Sequence, residues 1–186
     1  MAIKMTKDQC IRIYDKASTA CVQDKSMVLD HKYFDGPIRE ESLTHDEIKD
    51  SISSLLLEPL DPTDASFVEA ALGLIGRVGV PDNWLEILSK LAIDINHRRH
   101  EDIIGMLQRC RNPKSVSILK KAILLKPKLE YLEYDDYGSY YKKCLWALQD
   151  VGTEEALLVI RECTKSDDSA LREQAEYRLS KIQNRM

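Results

Sequence analysis

An apolar pattern that returns at a nearly constant interval limits the fold of this chain more than any other feature. Four equivalent apolar positions, Val78, Cys110, Val151 and Ile182, are separated by 32, 41 and 31 residues. An interval of about 31 to 32 residues is typical of helical repeats, in which each unit buries its apolar face only by stacking on its neighbours. The spacing therefore predicts a row of helix pairs.

The clearest copy of the pattern is residues 140–163. Leu145, Leu148 and Val151 recur at three-residue steps, Gly152 ends this first helix, and a second apolar stripe follows in residues 156–163. A helix of about 11 residues is marginal in water, so each helix must pack against the other and against a neighbouring pair. We predict that the pair reverses at Gly152 with a left-handed backbone.

Helix start and stop signals divide the rest of the chain, and no alternating β-branched run supports a strand. The sequence predicts a helix at 6–22, a loop at 30–42 that packs down through Tyr33 and Phe34, a helix between Thr44 and Pro59, helix pairs at 61–91, 97–123 and 140–163, and a final helix after Asp168. We expect an all-α fold, an α-solenoid of antiparallel helix pairs, in a single domain 1–186. Residues 1–60 form irregular N-terminal helices and residues 61–186 form the repeats.

The long middle interval places an insertion at about 126–140. An insertion in a solenoid leaves the packed layers as a loop on one rim, where binding groups are common. This segment is rich in acidic residues and in tyrosines, which are favoured at interfaces. The predicted partner-binding residues are Tyr131, Tyr134, Asp135, Asp136, Tyr137 and Tyr140. The alternative is that two or three of these tyrosines only fasten the loop to the repeat.

The last third of the chain resembles a known repeat family. Residues 147–163 and 166–182 resemble the HEAT repeat of the phycobilisome-lyase subtype, with Ala-Leu, a glycine at the turn, then Asp and Leu-Arg before an Ala-containing helix. Ala71, Leu72, Gly76 and Gly79 repeat part of that pattern, so the resemblance covers residues 62–184. It implies stacked helix pairs. Because such repeats occur in lyases, in accessory domains of enzymes and in pure binding proteins, it leaves the activity open.

A basic block occupies residues 96–128, where nine Lys or Arg stand against two acidic residues in a chain of net charge −4. Its candidate surface residues are Arg98, Arg99, Arg109, Arg111 and Lys114. We expect the four arginines to share one surface. Such a block can follow the phosphate backbone of a nucleic acid, or it can face the acidic insertion or an acidic protein. No stacking aromatics are interleaved among its basic residues, which favours the second interpretation.

The residues that could carry chemistry are few. His97 and His100 lie three apart beside a single acidic neighbour, too few ligands for a metal, and we expect a solvated helix start. Five widely spaced cysteines without a CxxC argue against a disulfide framework, and we expect Cys110, Cys144 and Cys163 to face inward as small hydrophobes. No nucleotide-binding loop, nucleophile elbow or zinc-protease motif occurs. The sequence thus predicts no enzyme, no cofactor and no metal.

These patterns favour a non-enzymatic protein-binding module in the cytoplasm, without a membrane association. A small acidic chain of this repeat type resembles the immunity proteins that bacteria encode beside secreted toxins, and that resemblance implies a cognate toxin as the partner. The alternative is a nucleic-acid-binding HEAT-repeat protein that uses residues 96–128.

Overall fold

The computed structural model describes residues 5–133, 135 and 138–183, and over these residues the chain is all-helical, without a strand. The prediction of an all-α fold is confirmed. The α-helices of the described residues are α1 (Lys7–Gln23), α2 (Asp35–Glu40), α3 (His45–Leu57), α4 (Ala65–Val78), α5 (Trp84–Leu91), α6 (His100–Cys110), α7 (Ser115–Leu125), α8 (Ser139–Val151), α9 (Glu154–Cys163) and α10 (Ser169–Gln183). Short 3-10 turns occupy His31–Tyr33, Pro62–Asp64, Lys126–Lys128 and Glu130–Leu132. Within the described ranges, no helix combines the length and apolarity that crossing a membrane requires.

Two helices begin at capping boxes that the sequence predicts. The Thr6 hydroxyl accepts the N–H of Gln9 at 3.2 Å, while the Gln9 side chain accepts the N–H of Thr6 at 2.8 Å. Thr44 and Glu47 make the same reciprocal pair at the start of α3. Each box satisfies two N–H groups that a helix start leaves without partners, which is why both predicted boundaries are confirmed within a residue or two.

Contacts group the chain into two compact units, Met1–Ile87 and Leu88–Met186. In the first unit, α4 packs against α1 and α3, and α2 packs against α1. The approach of α4 to α1 is close at Gly73, where an added Cβ would lie 2.4 Å from Cε2 of Tyr14. Glycine at this position therefore allows the two helices to pack at their observed distance.

The second unit is built around α8, which packs against α6, α7, α9 and α10. Helix α9 also contacts α7 and α10. The side of α8 that meets these helices carries its buried residues, which are Tyr140, Tyr141, Cys144, Leu145, Ala147 and Leu148. One remaining strip of α8 faces outward, and it contains Lys142 and Trp146.

The prediction of a loop at 30–42 is wrong, because this segment contains the turn His31–Tyr33 and helix α2. Pro37 is the third residue of α2, within the first turn, where a missing N–H costs no helical hydrogen bond. Arg77 on α4 holds the start of α2 through Asp35, with Nε 2.6 Å from Oδ1. Tyr33 and Phe34 are buried as predicted.

The repeat positions coincide with helix ends. Val78, Cys110 and Val151 are the last residues of α4, α6 and α8, and Ile182 precedes the last residue of α10. The extra residues of the middle interval lie between α7 and α8, as predicted. Cys144 and Cys163 are buried as expected, but Cys110 is exposed. That expectation was wrong because α6 ends at Cys110 and the chain turns away from the packed layer at Arg111.

The reversal between α8 and α9 has the left-handed backbone that the sequence predicts. Gly152 has φ 69° and ψ 11°, and its N–H bonds to the carbonyl of Leu148 at 3.2 Å. Thr153 follows at once as the N-cap of α9, accepting the N–H of Ala156. Glycine is the residue that takes this conformation without a steric penalty, so a single residue ends one helix and positions the next.

We therefore expect Gly152→Val to lower the free energy of unfolding by roughly 1–2 kcal/mol, because a β-branched residue is strained in the left-handed region. Urea denaturation of the purified protein measures this change. Gly76→Ala in α4 is the control, since open space surrounds its Cβ position; removing a helix-interior glycine should leave stability equal or higher. An unchanged urea midpoint for the Gly152→Val variant would contradict the expectation.

Candidate functional site

Two exposed aromatic rings lie on the outer side of the second unit. Trp146 on α8 is 42% exposed and Tyr177 on α10 is 51% exposed, whereas the chain's other tryptophan, Trp84, is buried at 7%. Large aromatic side chains are normally buried because of their apolar area, so an exposed pair on adjacent helices is a candidate contact surface. Together with three neighbouring cations, Lys142, Arg178 and Lys181, we call this surface the α8–α10 face.

The cations of the α8–α10 face lie over its rings. The guanidinium of Arg178 is 4.5 Å from the centre of the Trp146 ring, and Nζ of Lys142 is 5.4 Å from the same centre. Nζ of Lys181 is 5.1 Å from the centre of the Tyr177 ring. Each exposed cation–π contact is worth about 0.5–1 kcal/mol, which restricts the motion of both rings. The cations therefore favour the observed positions of the rings.

Arg178 connects the two helices of this face. Its side chain is buried although it is charged, and its Nη1 donates to Oε1 of Gln149 on α8 at 3.1 Å. It reaches both rings, since its guanidinium also lies 5.9 Å from the centre of Tyr177. A buried guanidinium between two exposed rings gives the face a fixed positive centre.

Chemically, the residue types of the α8–α10 face suit binding. Trp, Tyr and Arg are the residues that most often dominate the energy of protein interfaces. Nucleobases would need free ring faces for stacking, and here cations already lie over the rings. A polypeptide that brings carboxylates to the cations and apolar atoms to the ring edges matches the surface better.

Sequence reasoning missed this face, although a signal was present. Trp146 and Tyr177 are 31 residues apart, which is the repeat interval itself. Each has a lysine four residues away on its own helix, Lys142 before Trp146 and Lys181 after Tyr177, and residues four apart are neighbours on a helix surface. Aromatic residues compared at one repeat position would have identified the pair.

The predicted partner-binding loop is fastened inward where the structure describes it. Tyr140 is completely buried and its hydroxyl donates to the carbonyl of Ala122 at 3.1 Å, so it offers no surface to a partner. Tyr131 donates to Nδ1 of His100 at 2.8 Å, and burial raises its pKa to about 12. Asp135 caps α8 by accepting the N–H groups of residues 139 and 140. Tyr134, Asp136 and Tyr137 lie outside the described residues.

For the tyrosines Tyr131 and Tyr140, the fastening alternative is therefore the one that the geometry fits, and Asp135 serves as a helix cap. The hydrogen-bonding atoms of these residues are engaged within the second unit, and the ring of Tyr140 belongs to its core. We remove these three residues from the predicted contact surface.

The four arginines predicted to share one surface lie at the two ends of a single helix. Arg98 and Arg99 precede α6, while Arg109 and Arg111 lie at its other end, about 15 Å away at 1.5 Å per residue. Nε of Arg99 pairs with Asp102 at 2.8 Å. Lys114 precedes α7 and is exposed. The structure thus brings Arg109 and Arg111 together, beside a cleft between α6 and α8, and separates them from the other pair.

The expectation of a solvated helix start at His97 and His100 is wrong, because both rings are buried, at 2% and 0% exposure. The rings stack with centroids 4.2 Å apart. Nε2 of His97 donates to the carbonyl of Leu91, and Nε2 of His100 donates to the carbonyl of Asp94. The two Nδ1 atoms accept from the N–H of Arg99 and from the Tyr131 hydroxyl. All four nitrogens serve the fold with neutral imidazoles.

Metal ligation is not supported in the part of the chain that the structure describes, where no group of three or more His, Cys, Asp or Glu side chains is arranged to hold an ion. No protein-family model, no curated protein and no solved structure matches this chain. Its function therefore has to be inferred from its own geometry.

The buried histidine pair predicts acid sensitivity. Burial lowers the pKa of both imidazoles, and the pKa of His100, which also lies beside His97, falls to about 4. In the unfolded chain the imidazole of His100 has a pKa of about 6.5, so the unfolded chain takes up a proton at a higher pH than the folded chain does. The contribution of neutral His100 to the free energy of unfolding is therefore complete above about pH 6.5 and is lost as the pH falls toward 4. Between pH 7 and pH 5, His100 alone should lower the free energy of unfolding by about 2 kcal/mol.

Urea denaturation at the two pH values measures this loss. In a His100→Gln variant the loss should become clearly smaller, while His45→Gln, on α3, should leave it unchanged. An equal pH dependence in all three proteins would show that the histidine pair is not its source.

Proposed function

We propose that this chain is a non-catalytic protein-binding module and that the α8–α10 face is its contact surface. One observation carries the proposal: Trp146 and Tyr177 are exposed on neighbouring helices, and the guanidinium of Arg178 contacts both rings. Interface energy concentrates in a few aromatic and arginine side chains, and this face exposes two aromatic rings that a buried arginine supports from beneath.

The charge of the face defines the partner as an acidic polypeptide. Lys142 and Lys181 are exposed at its two sides, and Arg178 lies between the rings. The chain as a whole has a net charge of −4, whereas three of the five residues that define this face are cations. Such a patch steers an acidic surface toward itself and disfavours association through the remaining acidic surface.

We also propose that the second unit is a short α-solenoid of antiparallel, HEAT-like helix pairs. Helices α6, α8 and α10 form one layer through the contacts of α8 with its two neighbours, and α7 and α9 contact each other behind it. Equivalent glutamines support this arrangement. Gln108 on α6 donates to Asp150 on α8 at 2.7 Å, and Gln149 on α8 bonds to Arg178 on α10. A repeated layer brings equivalent positions into a row, which is how Trp146 and Tyr177 become neighbours.

A narrower form of the proposal is a cytoplasmic immunity protein whose acidic partner is a cognate toxin. It rests on the size, acidity and repeat type of the chain alone. The competing proposal is nucleic-acid binding through residues 96–128. The separation of Arg98 and Arg99 from Arg109 and Arg111 weakens it, because a phosphate backbone needs a continuous track of cations.

The test is a pair of double variants. Trp146→Ala/Tyr177→Ala removes both rings of the α8–α10 face, and Leu124→Ala/Leu158→Ala removes two comparably exposed apolar side chains from α7 and α9. Proteins captured from the native cell by the parent chain, after nuclease treatment, are identified, and the candidate partner is purified for calorimetry. We expect the first variant to lose about 2 kcal/mol of binding free energy, roughly 30-fold in Kd, and the control to bind as the parent does.

Thermal melting of both variants separates binding from folding, since exposed side chains contribute little to stability. A partner that binds the Trp146→Ala/Tyr177→Ala protein as tightly as the parent would refute the assignment of the face. Loss of the captured material on nuclease treatment would favour the nucleic-acid proposal instead, and a captured toxin encoded beside this chain would support the narrower form.

A further inference from the structure

A second surface feature of the same unit is a polar cleft of about 460 Å³ between α6 and α8. Its lining residues are Gly105, Gln108, Arg109, Arg111 and Asp150. Two of them, Gly105 and Arg111, differ from the residues at the equivalent positions of the other repeats. Both differences lower local stability, and both contribute to the cleft.

Gly105 on α6 occupies the repeat position that Trp146 occupies on α8 and Tyr177 on α10. It lies 41 residues before Trp146, which in turn lies 31 residues before Tyr177, so the three hold one repeat position. Glycine in a helix interior is destabilising relative to alanine, and nothing lies within 4 Å of a Cβ placed at Gly105. Packing therefore does not require glycine here. Because glycine has no side chain, the cleft stays open at this position, whereas α8 and α10 carry an aromatic ring at the equivalent positions.

Arg111 stands where other repeats have glycine. Gly79, Arg111 and Gly152 are equivalent turn positions, 32 and 41 residues apart, and all three have positive φ. Arg111 has φ 47° and ψ 31°, a left-handed conformation that costs a non-glycine residue free energy. Arginine is thus held in a strained turn at the edge of the cleft. The end of α6 requires this left-handed backbone, as the end of α8 does at Gly152, but it does not require an arginine.

The charges of the cleft define its ligand. Arg109 and Arg111 are exposed, and in the described part of the chain neither forms an ion pair. Both arginines line the cleft, and a guanidinium group binds a carboxylate through paired N–H donors. Asp150 lines the same cleft and accepts from Gln108 at 2.7 Å. Its oxygens can accept a backbone N–H of a peptide.

We infer that the α6–α8 cleft binds an Asp or Glu side chain of the partner polypeptide, with Arg109 and Arg111 holding the carboxylate and Asp150 accepting a backbone N–H beside it. This inference rests on the proposed protein-binding function and adds an anchoring site next to the α8–α10 face. The cleft selects for an acidic residue, while the aromatic face contributes apolar contact.

The probe is a fluorescein-labelled peptide of alternating glutamate and leucine, compared with an oligothymidylate of the same charge, by fluorescence anisotropy at low salt. Two variants test the cleft. Arg111→Gly removes one guanidinium and relieves the left-handed strain, and Gly105→Leu fills the cleft with a helix-favouring residue. Both should melt at a higher temperature than the parent and bind the peptide about tenfold more weakly. Arg98→Gly, an exposed arginine at the far end of α6, is the matched control and should bind within twofold of the parent.

The outcomes separate this inference from the proposed function. Parent-like peptide binding by both cleft variants, with binding lost in Trp146→Ala/Tyr177→Ala, would overturn the cleft and leave the α8–α10 face standing. Weaker peptide binding by the two cleft variants, with parent-like binding by Trp146→Ala/Tyr177→Ala, would support the cleft as the binding site and refute the α8–α10 face. Tighter binding of the oligonucleotide than of the peptide, lost with Arg111→Gly, would overturn the assignment of a carboxylate ligand, as would the absence of any peptide binding by the parent.

Discussion

The burial of α8 is the constraint on which the second unit depends. Four helices cover its apolar side, so Tyr140, Cys144, Leu145 and Leu148 are fully removed from water. At about 25 cal/mol per Å² of apolar surface, this burial is the main stabilisation available to helices too short to persist alone. It also fixes what remains exposed. The outward strip of α8 carries Trp146 between its two neighbours, and α6 and α10 provide the cleft and the second ring.

The loop before α8 holds this arrangement in register. Tyr131 reaches His100 at the start of α6, and Asp135 caps the first turn of α8. Lys126 adds a cation over the Tyr141 ring at 4.7 Å, and Tyr141 donates to Asp168 before α10. The inserted residues therefore connect α6 to α8, and Tyr141 of α8 continues the connection to the approach to α10. The loop thus stabilises the starts of α6 and α8. At the other end of α6, the fold can then tolerate the left-handed backbone of Arg111 and the open cleft.

Local signals in the sequence were sufficient for most helices and for the turn at Gly152. Capping boxes at Thr6 and Thr44 and the left-handed glycine are each set by interactions within a few residues, which a sequence displays directly. Helix α2 was missed because Gly36 and Pro37 usually indicate a loop, while in the first turn of a helix they are tolerated. The burial of His97 and His100 was missed because their partners are backbone carbonyls that no pattern reveals.

The candidate site was the part least visible in the sequence. Tyrosines crowded into one insertion suggested a binding loop, yet the described ones turn inward. The exposed rings belong to separate helices and meet only through the repeat. Arg178 illustrates the difficulty, since a charged residue on the buried side of α10 is unexpected until Trp146 and Gln149 are seen to receive it. Its role depends on packing between helices and not on its own neighbours in the chain.

Titration of the isotope-labelled protein with the glutamate–leucine peptide, followed by amide NMR shifts, tests most directly whether the outer layer of the second unit binds an acidic polypeptide. Saturable shifts should concentrate in α6, α8 and α10 around Gly105, Arg111, Trp146 and Tyr177, and the exposed residues Leu124 and Leu158 on α7 and α9 should not move. Shifts centred on α7 and α9, or no saturable shifts at all, would contradict the assignment.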